Sequence, residues 1–340
     1  MPLKCQRPRL AGVARPLRRD SAGPRSQVGA DVWQGCRAED AAFDPEGVTV
    51  TVSAPDGSSR AVRCAAVVDA SGRSGFLATR MGQRRKDPQL QNISIHRQYT
   101  GVPRLDGRRS GDIRMVTRPD HGWFWFIPLS ETVTSVGVVV PQASYRADPG
   151  RTAEASLDLL IAQTPAAAQL LSGATPASPA RFEADYSYLH STHAGDRWVL
   201  VGDAGAFLDP IFSTGVLLAM QGGIEAATAI SDALRAGVAP TRDRFAAYER
   251  TLVSRYRHFR RFVSGFYDPA FRDLWFSPSA PFGLYEAVLS VLAGNWRPSL
   301  VTRLRLRLFQ LFVSIQRVWP IVPRQGAQPP MAPRTVHDGV

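Results

Sequence analysis

Lysine is almost missing from this chain. Lys4 and Lys86 are the only two among 41 basic residues, so arginine carries the positive charge. Cysteine is scarce and unpatterned: Cys5, Cys36 and Cys64 show no C-x-x-C spacing. That excludes a cysteine-based metal site and points to unpaired thiols in a reducing, cytoplasmic compartment. No apolar run reaches the roughly 18 residues of a transmembrane helix. The first 20 residues lack the apolar core of a secretory signal. There is no G-x-S-x-G elbow and no phosphate-binding P-loop, which excludes those hydrolase and nucleotide-hydrolysing classes. His96, His121, His190 and His193 have no metal or triad partner at useful spacing. They read as surface or structural residues, and no metal is expected. No internal repeat is present.

What remains is an ordinary globular composition, 44% hydrophobic and 21% charged over 340 residues, enough for one large domain or two. The net charge of +12 is unevenly placed: residues 1–30 contribute +6 and residues 241–320 contribute +8. The basic C-terminal region reads either as a solvated arginine-rich surface or as a surface for anionic lipid, nucleic acid or an acidic protein.

Residues 1–30 are rich in Arg, Pro, Gly and Ser with no sustained apolar period, and predict a loose or aberrant tail. Val32–Cys36 predicts a short strand. Val48–Val52, the Asp56-Gly57 turn and Ala61–Cys64 predict a β-hairpin. Ala65–Asp69 reads as a short buried strand that stops at Ala70-Ser-Gly-Arg-Ser-Gly75, where glycines permit close approach of a ligand. Ile93–Thr100, Ile113–Thr117, Trp123–Ile127 and Thr134–Val140 predict an antiparallel sheet. Alternation puts Trp123, Trp125 and Ile127 on one face and Phe124 and Phe126 on the other. A helix is predicted over 155–171, a Pro/Ala/Ser linker over 174–180 and a strand over 184–189. Further helices are predicted at about 242–266, 282–293 and 299–317, the last with Val301, Leu304, Leu308, Leu311 and Ile315 on one face.

One stretch organises the rest. Trp198–Val201 is an apolar strand that ends at Gly202-Asp203. Asp209-Pro210 and Ser213-Thr214-Gly215 follow, then a helical pattern from Val216 to Leu234 with Gly237 just past its end. A strand, an acidic turn and a helix N-terminus suit a polyhydroxylated, electron-rich ligand. The carboxylate accepts hydrogen bonds from hydroxyls, and the free N–H groups face negative charge.

Taken in order, these motifs resemble the flavoprotein monooxygenases of the p-hydroxybenzoate hydroxylase type. Gly122-Trp-Phe-Trp-Phe-Ile-Pro128 narrows the resemblance, being similar to the W-x-W-x-I-P motif of flavin-dependent halogenases. The resemblance covers roughly residues 30–270. It implies a mixed α/β fold: a partial Rossmann-like FAD-binding domain (31–80 and 181–240), an antiparallel-sheet substrate domain (81–180) and a helical region (241–320), between an aberrant start (1–30) and a flexible tail (321–340). It implies FAD as cofactor. Asp203 would bond the ribityl chain, with Gly202, Ala204 and Gly205 giving the backbone room. Pro210, Ser213, Thr214, Gly215 and Val216 would lie beside the isoalloxazine, and Asp69, Gly72 and Arg73 on its other side. Trp123, Trp125, Ile127, Pro128 and Phe212 would line the substrate chamber. The implied chemistry oxidises halide with reduced FAD and oxygen. A lysine then delivers the halogen to an electron-rich ring. A flavin reductase would supply the reduced cofactor.

Two departures shape the expectation. Tryptophan halogenases carry a glutamate where this chain has Phe212, which turns the resemblance toward the phenol or pyrrole branch, whose substrates are often carried on a protein. The family's Gly-x-Gly-x-x-Gly motif for the FAD pyrophosphate, and the catalytic lysine of the same early region, have no counterpart here. The chain therefore reads as an N-terminally truncated or mis-started halogenase, expected to bind FAD poorly and to be inactive. The alternatives are a flavin hydroxylase or prenyl-chain reductase on the same scaffold, or a non-catalytic remnant that binds a carrier or, through 299–317, a membrane surface. Nucleic acid is not the expected partner.

Overall fold

The computed structural model describes residues 29–82, 84–143, 145, 150–184, 186–277 and 283–324. The loose start expected for 1–30 and the tail expected for 321–340 fall almost wholly outside these residues. The fold is mixed α/β. The chain divides into two compact units, one of residues 1–85, 189–206 and 219–250, the other of residues 86–188, 207–218 and 251–340.

The first unit holds an antiparallel meander of Arg37–Asp44, Gly47–Ser53 and Ser59–Cys64. The predicted hairpin is its second half, with Val50 opposite Val62. The strand expected at Val32–Cys36 does not form, and Arg37–Asp44 takes the edge instead. The reason is local. Asp44 Oδ1 accepts the N–H groups of Glu46 (2.8 Å) and Gly47 (2.9 Å), closing a tight turn that sets the register from Asp44 backwards. Beside the meander, Val67–Asp69 runs parallel to Trp198–Leu200, with Val68 opposite Val199. Leu77, Ala78, Trp198 and Leu200 form a buried cluster here, with Phe43, Val67 and Phe76 against it.

The second unit is built on an antiparallel sheet ordered Thr175–Pro176, Asn92–Thr100, Val133–Pro141, Trp123–Pro128, Arg114–Thr117, with Arg181–Ala184 also paired to Asn92–Thr100. The predicted alternation holds. Phe124 and Phe126 join Ile93, Ile95, Val136, Val138 and Val140 in a core covered by Leu157, Leu160 and Ala167. Trp123 and Trp125 point to the opposite face. The single helix expected over 155–171 is two, Ala153–Ala162 and Pro165–Leu171. Pro165 has no N–H to continue the first helix but is well suited to start a second. The 174–180 linker contributes the short strand Thr175–Pro176. Pro269 likewise opens the helix Pro269–Trp275, capped by the Asp268 carboxylate accepting the Ala270 N–H.

Two helices turn differently from their apolar pattern. In Leu300–Val318 the buried residues are Phe309, Val313 and Gln316, while Val301, Leu304 and Leu311 are exposed. Gln316 decides this: its amide donates to Asp273 and the Val322 carbonyl (3.0 Å each) and accepts the Ile321 and Val322 N–H groups. Phe309 meets Phe271 edge-on at 5.0 Å. In Gly215–Arg235 the buried residues are the small ones, Gly222, Ala226 and Ala233, while Val216, Met220 and Ile224 are exposed.

Candidate functional site

The residues singled out above fall into two groups, one in each unit. In the first unit, the strand Val67–Asp69 delivers the chain into the turn Gly72–Ser74. Asp69 is buried and its carboxylate is fully used by that loop. Oδ1 accepts the Ser71 N–H (2.9 Å) and hydroxyl (2.5 Å), and Oδ2 accepts the Leu77 (2.6 Å) and Ala78 (3.1 Å) N–H groups. Asp69 therefore braces the loop, and Gly72 and Arg73 are what the loop presents.

The turn Gly202–Ala204 lies against Gly72–Ser74. It begins with Gly202 at φ 57°, where an added Cβ would stand 2.9 Å from Ala219 Cβ, so conformation and space both require glycine. Burial pushes the Asp203 carboxyl above its usual range, opposed by the positive charge of Arg73. Behind the turn, Gly205 faces His193, where an added Cβ would lie 3.2 Å from the imidazole Cδ2. His190 and His193 are both buried. Burial holds His193 down to about 4, with Glu249 pulling it the other way. The reading of these two histidines as structural agrees with this placement.

In the second unit, the turn Pro210–Phe212 precedes the helix Gly215–Arg235. Asp209 caps it by accepting the Ile211 N–H at 3.0 Å, and Ser213 leaves it in the left-handed region at φ 52°. Thr214 is buried, and its carbonyl accepts the first helical N–H, from Leu218. The N–H groups of the first turn have no partner within the helix. Phe212 is half-buried among rings, edge-on to Phe266 (6.1 Å) and Trp275 (6.4 Å). Phe266 in turn meets Trp123 at 6.3 Å, and Trp123 meets Trp125 at 5.7 Å. The structure thus brings Trp123, Trp125 and Phe212 into one aromatic cluster. Ile127 and Pro128 follow on the same strand, with Pro128 at its end.

Several members of this cluster escaped the sequence reading. The Trp125 indole N–H donates to Ser135 Oγ at 3.1 Å, its ring lies over Gly137, and His96 sits 5.9 Å away on the far side. Tyr267 accepts from Trp123 and donates to Asp209. Cross-strand register makes these neighbours, and no local pattern announces them. Lys86, the one described lysine, is exposed on the short strand Arg84–Lys86.

The chain matches the sequence model of the tryptophan halogenase family over residues 11–276. It belongs to that family. It is 33% identical over 268 residues to a flavin-dependent halogenase, armH3, of Armillaria mellea, covering 71% of this chain and 52% of that protein. It is 31% identical over 245 residues to a 1H-pyrrole-2-carbonyl-[peptidyl-carrier protein] chlorinase of Pseudomonas fluorescens, covering 71% and 54%. The chain thus spans about half the length of these relatives. In fold it is similar to a triple mutant of the flavin-dependent brominase Bmp2, with a TM-score of 0.74 and 26% identity, covering 87% of this chain and 74% of that one. Members of this family are FAD-dependent enzymes. Among the described residues of this member, no helix is long and apolar enough to cross a membrane.

Proposed function

We propose that this chain forms the ribityl-, isoalloxazine- and substrate-facing part of an FAD-dependent halogenase that acts on an electron-rich phenol or pyrrole. The observation that carries the reading is the aromatic cluster of Trp123, Trp125 and Phe212 in a member of this family. The first unit fits the sugar part of the cofactor. A carboxylate already raised by burial, as Asp203 is, gains from hydroxyl donors. Arg73 adds a positive charge beside it. In the second unit, Pro210, Ser213, Thr214, Gly215 and Val216 present a turn and a helix N-terminus suited to the electron-rich edge of a reduced ring. Bound and reduced, FAD would supply the oxygen-activating centre that oxidises halide to an electrophilic halogen. The Trp123 and Trp125 rings exclude water from the substrate side. Gly-x-Gly-x-x-Gly is not among the 340 residues, so the reading concerns the ribityl and ring portions of the cofactor.

Phe212 supports the substrate class. Its neighbours are aromatic rings, which offer an apolar contact to a flat ring and no charge to pair with an amino acid. The carrier-bound form draws support from surface charge. No acidic residue occurs between Glu286 and Asp338, and the helix Leu300–Val318 exposes Leu304 and Leu311 beside Arg303, Arg305 and Arg307. An acidic carrier complements such a face. A flavin reductase is the second expected partner. The test is product mass from the chain with FAD, a flavin reductase, oxygen, and chloride or bromide, on free and carrier-linked phenols and pyrroles. Halide-dependent replacement of hydrogen by halogen supports the reading. Halide-independent gain of oxygen would overturn it in favour of a hydroxylase.

A further inference from the structure

The second unit holds a buried hydrogen-bond chain that the reading above leaves without a task. Asp209 is only 4% exposed and Trp123 only 2%. The carboxylate accepts three donors from three parts of the chain. Ile211 N–H reaches Oδ1 at 3.0 Å, and the Tyr267 hydroxyl (2.9 Å) and the Asn92 amide (3.2 Å) reach Oδ2. The Tyr267 oxygen in turn accepts the indole N–H of Trp123 at 3.1 Å. The chain therefore runs from the first residue of the Trp123–Pro128 strand, through the residue that follows the helix Ala246–Phe266, to the turn that carries Phe212 and Ser213. Each hydrogen bond has a defined direction, because an indole N–H only donates and the hydroxyl must then donate to the carboxylate.

We propose that Tyr267 is a positioning residue of the candidate site: it couples the Asp209 carboxylate to the Trp123 indole and so holds the tryptophan strand and the Asp209–Phe212 turn in one fixed relation. The role in catalysis rests on the reading of the preceding subsection, but the linkage itself is read without flavin or halide.

The groups around the chain favour this role over that of a plain core contact. No cation is among the groups that act on Asp209, and burial outweighs its three hydrogen bonds to push its carboxyl up to about 6. Burial, then Asp209 and Tyr186, hold the Tyr267 phenol well above its usual value, so it stays a donor. Arg272 feels the charges of Asp273, Tyr267, Asp268 and Asp120, and burial opposes its ionisation. When Asp209 takes up a proton, the carboxylate that orders the Tyr267 hydroxyl is lost. The change is transmitted to the Trp123 N–H through one oxygen.

The experiment follows the indole N–H resonances of the 340-residue chain labelled with 15N at tryptophan, with Trp123→Phe assigning the relevant one of seven. The Trp123 resonance is expected to shift between pH 5 and 8 with one midpoint near 6. Asp209→Asn should abolish that titration. Tyr267→Phe should move the resonance upfield and also make it insensitive to pH. If no indole N–H resonance of the native chain titrates with a midpoint near 6, the proposal is overturned, and that observation needs neither the assignment nor a folded variant. A titration that survives Tyr267→Phe overturns it as well. Halide-independent gain of oxygen by the substrate, with the titration intact, would overturn only the functional reading.

Discussion

Gly137 is the residue on which the geometry of the tryptophan face depends most directly, and Gly137→Ala is the sharpest perturbation available. Gly137 pairs with Trp125 on one side and His96 on the other. An added Cβ would stand 2.1 and 2.4 Å from Cζ2 and Cη2 of the Trp125 ring and 2.6 Å from His96 Cβ. The strand is hydrogen-bonded along both edges and has little freedom to yield, so the indole must leave. Its departure breaks the Nε1 bond to Ser135 Oγ, worth about 1 kcal/mol net. Overpacking against His96 and the neighbouring strand adds about 1–3 kcal/mol. The expected loss is about 2–4 kcal/mol, read as a lower urea midpoint at unchanged slope. In a Trp125→Ala background the main clash is gone, and the same substitution should cost at least about 1 kcal/mol less. Equal cost in the two backgrounds would refute the account, as would a Gly137→Ala protein within about 0.5 kcal/mol of the native one.

Asp69→Asn should destabilise the first unit by about 2–3 kcal/mol in denaturant titrations, because the new amide points donors at N–H groups that the carboxylate now accepts. Buried His193 has its folded pKa held to about 4, below the ordinary 6.5, so the unfolded chain binds the extra proton between those values. Stability should therefore fall as pH drops from 6.5 to 4, by about 3 kcal/mol at most, and His193→Gln should flatten the profile. Asp209, raised from 3.8 to about 6, acts with the opposite sign: its contribution is present at low pH and is lost as pH rises through that window, so Asp209→Asn isolates the histidine. Arg260 forms a two-pronged ion pair with Asp87, whose side chain is 5% exposed. Arg260→Ala should cost about 2–4 kcal/mol, measured by urea unfolding, by leaving that carboxylate buried without its partner.

Much of the fold was legible because local rules decide it. Strict alternation marked the strands Gly47–Ser53 and Asn92–Thr100 and told the two faces of Trp123–Pro128 apart, since a strand has only two faces. The Gly202-Asp203 and Asp209-Pro210 turns were legible from glycine, proline and their acidic residues, whose conformational demands act over a few residues. The strand Arg37–Asp44 was not, because its Arg-Ala-Glu-Asp-Ala-Ala-Phe-Asp sequence has no strand pattern of its own and is held by its neighbour.

The sequence by itself determined most strands of the main sheet, the family motifs and the aromatic character of the position held by Phe212. Only the tertiary structure decided which faces of the helices Gly215–Arg235 and Leu300–Val318 are buried. There, small residues and one well-bonded glutamine outrank the larger apolar side chains. It alone decided that Asp69 is spent on its own loop, and that Gly137, Ser135 and His96 shape the surroundings of Trp125. It alone joined Asn92, Trp123, Asp209 and Tyr267, the first and last of which stand 175 positions apart in the chain. Hydrogen bonds between residues so far apart depend on register and packing, which no local pattern of the chain encodes.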